Sequence, residues 1–283
     1  MPMEVVRNLP YDHPYRWDGT LFGGPKLWRP TEIQTSLWLD AEDSTTITLN
    51  GTTVSQWNDK SGNGINVSQA TATSQPAYSA TGLNGKPVIE FDGIDDVLSI
   101  GETNLGRNLA GMSAAVVLKW VTAPATSKPL IAFSISGAQL VRFSISGISP
   151  NYAFGGRRLD GVSAQTVTGN QSLLTTTTAA ISSVVVNYQN TAVDLYTNGI
   201  VDRQTTTFLT SGNTSDTSSF LFNIGKNSST ADFANVQVSE VVFTNSALSE
   251  RQRQQLEGYL AWKWRLEANL PVSHPYKNLP PTV

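Results

Sequence analysis

The chain contains no cysteine. Disulfides and thiolate metal centres are therefore excluded, and stability has to come from packing. Only two histidines occur, His13 and His274, both in Pro-rich terminal phrases. A Ser-His-Asp site would have to recruit its base from one of these ends, and no Gly-X-Ser-X-Gly accompanies it. Charged residues are 14% of the chain, the net charge is −3, and no basic run is longer than the pair Arg157-Arg158. Nucleic-acid proteins usually present a basic face, so no nucleic-acid partner is expected. No stretch approaches the ~18 consecutive apolar residues of a membrane helix, so no membrane partner is expected either. The opening MPMEVVRNLPYDHPYRW lacks an apolar run long enough for a secretion signal. Gly-rich phosphate loops of the standard spacings are absent.

What remains is a chain of 283 residues, 39% hydrophobic, with seven Trp and abundant Ser, Thr, Asn and Gly. That is enough to bury a large core in one domain. Five Asn-X-Ser/Thr sequons, at Asn50, Asn66, Asn170, Asn213 and Asn227, reflect the Ser/Thr/Asn-rich surface rather than glycan acceptors, given no secretion signal. From residue 37 to about 245 short apolar runs alternate with turn dipeptides, the signature of a sandwich or barrel. Strands are expected at Ser113–Val121, Leu130–Ile135, Gln139–Ile145, Ser182–Tyr188, Ala192–Tyr196, Phe220–Ile224 and Val236–Phe243. The phrase Phe-Ser-Ile-Ser-Gly at 133–137 and again at 143–147 fits two neighbouring strands. Asn198-Gly199 marks a tight hairpin turn. In the segment around Trp57, strict alternation puts Val54 and Gln56 on one face, Ser55 and Trp57 on the other.

One helix is expected near the end, over residues 249–266. Ser249 is its N-cap and Gln252 completes a capping box. Leu256, Leu260 and Trp264 then share a face with Tyr259, and Trp262 lies off it. Residues 1–30 have five prolines and no periodic pattern, so they read as an extended arm; 31–268 form the sandwich and helix; 269–283 form a Pro-rich tail. The arm and tail echo one another. Asn8-Leu9-Pro10-Tyr11-Asp12-His13-Pro14-Tyr15-Arg16 matches Asn269-Leu270-Pro271-Val272-Ser273-His274-Pro275-Tyr276-Lys277 at six of nine positions, with Arg against Lys at a seventh.

The wording QWNDKSGNG, QPAY and NGKPVIEFDGIDDVL, followed near the end by ALSERQRQQLEGYLAWKW, resembles the laminin-G-like, concanavalin-A-like jelly-roll domains of phage virion proteins. The resemblance brackets about residues 31–268. It implies an all-β antiparallel β-sandwich of jelly-roll type with one C-terminal helix and extended termini. It also implies a virion location, as a capsid decoration, head-fibre or tail-fibre component.

Candidate chemistry is sparse. Glu90 and Asp92 would share one strand face ~6.5 Å apart, near the carboxylate spacing of glycosidases. Such enzymes carry Glu where this chain has Asp95, and Asp92-Gly93 also reads as a turn, so no enzymatic activity is expected. Asp59 with Asn63, and Asp92 with Asp95 and Asp96, are oxygen-rich loop clusters of the kind Ca²⁺ takes. The same residues also cap turns through their own backbone. Trp57 and Trp120 read as core, with sugar stacking the alternative. Trp17, Phe22 and Trp28, with His13, Tyr15, His274 and Tyr276 of the echoed phrases, are the expected docking residues. The reading is a non-enzymatic virion protein that docks on capsid or tail proteins through its arms and forms a homo-oligomer. A carbohydrate-binding module for host or environmental glycans is the alternative, and a glucanase-like hydrolase comes third.

Overall fold

The structure is a computed structural model that describes residues 26–135, 141–217, 220–227 and 232–283. Among these, turn residues cut the chain into seventeen strands. They are β1 (Thr35–Asp40), β2 (Ile47–Asn50), β3 (Thr53–Trp57), β4 (Val67–Ser68), β5 (Ala77–Leu83), β6 (Lys86–Asp92), β7 (Leu98–Thr103), β8 (Gly111–Trp120) and β9 (Lys128–Ile135). Then come β10 (Val141–Ile148), β11 (Asn151–Gly156), β12 (Gln165–Thr168), β13 (Ala180–Asn187), β14 (Ala192–Thr197), β15 (Ile200–Thr205), β16 (Phe220–Ile224) and β17 (Asn235–Thr244). Every expected strand is present within a few residues. Phe133-Ser134-Ile135 of the first repeat falls on β9 and Phe143-Ser144-Ile145-Ser146 of the second on β10, which pair with Phe133 opposite Phe143; Ser136 and Gly137 lie outside the described residues. Asn198 (φ 52) and Gly199 (φ 74) form the left-handed turn between β14 and β15.

The antiparallel pairings sort into two layers. One runs β5-β6-β17-β8-β13-β14-β15, with β1 also on β17. The other runs β2-β3-β4-β7-β16-β9-β10-β11-β12. A Thr53–Ala77 pairing joins them at one edge. Between the layers lies an aromatic core. Phe243 of β17 meets Phe133 and Phe143 at centroid distances of 4.6 and 5.4 Å, and Phe143 meets Phe154 at 5.0 Å.

In β8 nine of ten residues are buried (GMSAAVVLKW), with no alternation. A strand covered on both faces loses the in-out pattern. The second cover is α1 (Glu250–Lys263), which packs on β8 and β13. Its N-terminus carries the expected capping box of Ser249 and Gln252. Leu256, Tyr259, Leu260 and Trp264 are at most 2% exposed. Trp262, off that stripe, donates its indole N–H to the Tyr276 carbonyl at 2.8 Å.

One expectation is corrected. Val54 and Trp57 do not lie on opposite faces; both are fully buried. The β2–β3 register runs Thr48 to Gln56 and then Leu49 to Val54, so Ser55 is an extra, bulged residue. A bulge shifts the alternation by one, which turns Val54 and Trp57 inward together. The described end of the arm, residues 26–30, packs on its own domain. Leu27 bridges Thr282, the Trp28 amide donates to the Pro281 carbonyl at 3.0 Å, and the Val283 amide donates to the Lys26 carbonyl at 2.9 Å. The last residues of the arm thus form a short ribbon with the end of the tail. Trp28 is 3% exposed and packs edge-on against Tyr259 of α1. Its ring is spent on its own domain and is not a free docking group.

Candidate functional site

The bulge at Ser55 has an outward consequence. It sets Ser55 and Gln56 side by side on the solvent face of β3, where neither is buried. They form one wall of a shallow cleft of about 420 Å³, completed by Thr48, Asn50, Ser68, Gln69, Ala70 and Gln75. No charged side chain lines it. Its floor is held from below. The Gln75 side-chain oxygen accepts from Asn50 Nδ2 (3.1 Å) and Thr53 Oγ1 (2.9 Å), and Gln75 Nε2 donates to the Gln69 carbonyl (2.7 Å). Gln69 is fixed in turn, donating to the Val97 carbonyl and accepting from the Thr71 amide. An amide offers two donors and two acceptor lone pairs, so each of these groups keeps capacity toward a ligand. The cleft can recognise a neutral, hydroxyl-rich molecule without reorganising.

A second cleft, of about 390 Å³, opens between the edge strands β12 and β15. Gln165, Thr166, Thr168, Thr205 and Thr207 line it, with Arg203 as its one charge and Phe208 at its base. Phe208 is only 2% exposed, so no ring lies open for stacking there. Trp57 and Trp120, the strand tryptophans weighed for stacking, are fully buried core residues.

The acidic candidates differ from one another. Asp59 is a turn organiser: Oδ1 accepts from the Trp38 and Ser61 amides at 2.9 and 2.8 Å, and Oδ2 from Ser61 Oγ (2.7 Å) and the Ile65 amide (3.2 Å). Asn63 turns its NH₂ group, not its oxygen, toward the carbonyls of Thr35 and Ser36. That pair is turn chemistry and does not form a cation site. Asp92, Asp95 and Asp96 are brought together, each offering a carboxylate oxygen within 4.8 Å of the others. Asp96 is 7% exposed and accepts from the Asp92 amide. Burial first, and then the charges of Asp92 and Asp95, push its carboxyl up to about 6.

Glu90 accepts from Gln237 Nε2 at 2.8 Å, while Asp92 accepts from the Ile94 and Asp95 amides. One carboxylate is tied to a neighbouring strand and the other to its own turn. Neither lines either cleft. A Ser, a carboxylate and a His do meet under α1, but in the wrong order for a nucleophile. Ser183 Oγ donates to Glu257 Oε1 (2.6 Å), and His274 Nε2 lies 3.4 Å from Glu257 Oε2, so the acid separates the other two. All three are at most 6% exposed. His274 is thus an internal packing residue, and Tyr276 is half-buried beside it. His13, Tyr15, Trp17 and Phe22 lie outside the described residues.

The sequence missed the buried ionic cluster beneath α1. Lys263 Nζ reaches Asp40 Oδ1 at 2.7 Å and Glu240 Oε2 at 2.8 Å. Glu240 also accepts from the indoles of Trp38 (2.6 Å) and Trp264 (2.5 Å) and from Tyr259 Oη (2.9 Å). Burial raises the Glu240 carboxyl above its ordinary value despite Lys263. For Asp40 burial pulls the same way, yet Lys263 and Lys60 together bring it below. The cluster is closed to solvent and clamps the helix to β1 and β17.

No protein-family model matches the sequence, and no curated protein matches it. Solved structures share the fold. The binding domain of Paraclostridial Mosquitocidal Protein 1 superposes with a TM-score of 0.58 at 10% identity, covering 81% of this chain and 53% of that one. The ligand-binding domain of botulinum neurotoxin serotype D, solved with N-acetylneuraminic acid, gives 0.55 at 13% identity, covering 79% and 50%. Domain 4 of an extracellular arabinanase from Geobacillus stearothermophilus, solved with arabinotriose, gives 0.50 at 17% identity, covering 77% of this chain and 96% of that one. The chain spans about half the length of the first two. At these identities the likeness is one of fold: a jelly-roll-like β-sandwich.

Proposed function

We propose that the protein is a non-enzymatic carbohydrate-binding module that holds a neutral glycan in the cleft over β2–β4. The observation that carries this reading is the uncharged, pre-fixed lining of amides and hydroxyls. Sugar hydroxyls need partners that both donate and accept, and Gln56, Gln69 and Asn50 do both. Two sandwiches of this fold were solved with saccharides bound, arabinotriose in one and N-acetylneuraminic acid in the other, which supports the ligand class. The absence of charge in this cleft favours the neutral kind. Recognition through hydrogen bonds without aromatic stacking makes single-site binding weak, so display in several copies would matter.

A glycan array carrying neutral and acidic saccharides tests this with the whole chain. Binding to neutral glycans is expected. Each hydrogen bond contributes about 0.5–1.5 kcal/mol, so Gln56→Ala should weaken a hit about 2–13-fold. Arg203→Ala in the other cleft should leave it unchanged. An array without a hit, or a hit sensitive only to Arg203→Ala, overturns the assignment. The same glycans and a panel of β-glucans should release no reducing ends on incubation; turnover abolished by Glu90→Gln would establish a hydrolase instead.

A second reading has one observation in its favour. Lys26, the first described residue, lies beside Val283, whose amide donates to its carbonyl at 2.9 Å. That suits a module anchored through this end of the described chain. The resemblance to phage virion domains names a setting, a capsid decoration or fibre with other virion proteins as partners. Mass spectrometry of purified virions decides this: a protein absent from the particles removes the reading.

A further inference from the structure

The ionic cluster beneath α1 brings together the parts of an amide-forming reaction. Asp40 ends β1 and stands directly opposite Glu240 of β17 in the strand register. Lys263 ends α1 and reaches both. Its Nζ has three protons and three acceptors: Asp40 Oδ1 at 2.7 Å, Glu240 Oε2 at 2.8 Å and Tyr259 Oη at 3.1 Å. The other Asp40 oxygen, Oδ2, accepts from Lys60 Nζ at 2.8 Å. The rings of Trp264 and Tyr259 lie beside the Lys263 nitrogen, with centroids 5.1 and 5.5 Å away. The lysines paired in Lys26–Glu32, Lys60–Asp43, Lys86–Glu42 and Lys128–Asp232 all keep contact with water. Among the described residues, Lys263 alone is buried together with both of its carboxylates.

An amine held against a carboxyl in a dry site is placed to condense with it. Burial penalises both charges, and a neutral amide removes that penalty. Proximity supplies the rest, since well-oriented intramolecular pairs reach effective concentrations of about 10⁵–10⁸ M. Burial pulls the Lys263 ammonium down, yet Glu240 and Asp40 outweigh it and hold it above its ordinary value. The resting state is therefore the ion pair, and the free amine has to arise inside it. A proton that moves from Nζ to Asp40 Oδ1 along their hydrogen bond gives an amine and an acid with no change in net charge. Such neutralisation is the usual escape of buried charges.

We infer that Lys263 and Asp40 become joined by an amide bond formed within the folded chain, with Glu240 as the proton carrier. Nζ passes one proton to Oδ1, and its lone pair attacks Asp40 Cγ. Lys60, on Oδ2, stabilises the negative charge that develops there. Glu240 Oε2 takes a second proton from Nζ and hands it to Oδ1, which leaves as water. Nζ keeps the third. One C–N bond forms and one C–O bond breaks; Glu240 ends as it began, so no co-reactant is needed. Burial raises the Glu240 carboxyl, which makes it a stronger base than an ordinary carboxylate. The bond ties β1 to α1 with β2–β17 between them. It restricts the unfolded chain as a disulfide does, in a protein without cysteine.

Mass spectrometry of the purified full chain, denatured after folding, tests the inference. The parent should be lighter than its sequence mass by one water. Trypsin should leave Lys263 uncut and yield a branched peptide that joins the residues around Asp40 to those around Lys263. Tandem spectra have to place the loss there, because Asp-Gly steps such as Asp92-Gly93 also lose water. Lys263→Arg keeps a cation but no nucleophilic amine, and should stay at full mass. Glu240→Gln still accepts from Trp38, Trp264 and Tyr259, and should slow the linkage about 100-fold or more. A parent at full mass overturns the inference. So does a water loss confined to an Asp-Gly step, one that persists in Lys263→Arg, or linkage that Glu240→Gln leaves unchanged.

Discussion

Lys263→Met is expected to destabilise the protein by about 3–5 kcal/mol, the cost of breaking a buried ion pair by removing one partner. The reason is the company Lys263 keeps. It is 3% exposed and sits between Asp40 and Glu240, themselves 3% and 0% exposed. Methionine fills the space of the stem but leaves two buried carboxylates facing one another. Asp40 keeps Lys60 at 2.8 Å, and Glu240 keeps two indoles and a phenol, so the structure survives with the charges unbalanced. Glu240, already raised by burial, then takes up a proton, and the deficit shrinks as pH falls. Chemical denaturation at pH 7 and pH 5 measures both effects. Adding Glu240→Gln to Lys263→Met should recover part of the loss, since glutamine still accepts from Trp38, Trp264 and Tyr259. A single variant within 1 kcal/mol of the parent at pH 7 would mean that the cluster does not hold the helix.

The fold was legible because local signals agreed with one another. Turn pairs such as Asn198-Gly199 cut the strands, and Ser249 with Gln252 marked the only α-helix among the described residues. Alternation failed at Val54 and Trp57, since a bulge depends on register with β2 and no residue in β3 announces it. The cluster beneath α1 was hidden for a related reason. Glu240 and Lys263 are residues that usually stay in water, and only tertiary contact brings them within 2.8 Å. Their settings did carry a signal. Glu240 stands in the run Val-Ser-Glu-Val-Val-Phe and Lys263 between two tryptophans, odd surroundings in a chain that is 14% charged. The cleft over β2–β4 carried none. Its lining is drawn from residues 48 to 75, and each Gln, Ser or Thr there resembles dozens elsewhere on this surface. The acidic loop was visible as three Asp within five residues, and what sequence could not supply was which of them is buried.

That buried member makes the last prediction. Asp96→Asn should stabilise the protein at neutral pH and do little at pH 4. The Asp96 carboxyl ordinarily titrates near 3.8 and is raised to about 6 in the folded state, by burial and by Asp92 and Asp95. The folded protein therefore holds this proton more tightly than the unfolded chain does. Stability from this group is full below about pH 4 and is lost as pH rises through about 6. A shift of roughly two units corresponds to about 3 kcal/mol, the upper limit of what Asn can recover above pH 7. Asparagine is suited to the place, because its oxygen can still accept from the Asp92 amide, and its NH₂ meets the carboxylates of Asp92 and Asp95 without repulsion. Other carboxyls tilt the parent the opposite way, since Asp43 and Asp160 are both held below their ordinary values. The quantity to plot is thus the difference in unfolding free energy between variant and parent, from pH 4 to pH 8. It should rise between pH 4 and 6 and then level off; a flat difference would remove the strain ascribed to Asp96. Ca²⁺ supplies the complementary arm. If the three carboxylates take a cation, millimolar Ca²⁺ at pH 7 should raise the melting temperature of the parent and not that of Asp96→Asn. Equal melting of the parent with and without Ca²⁺ would leave the loop as three acids sharing a turn.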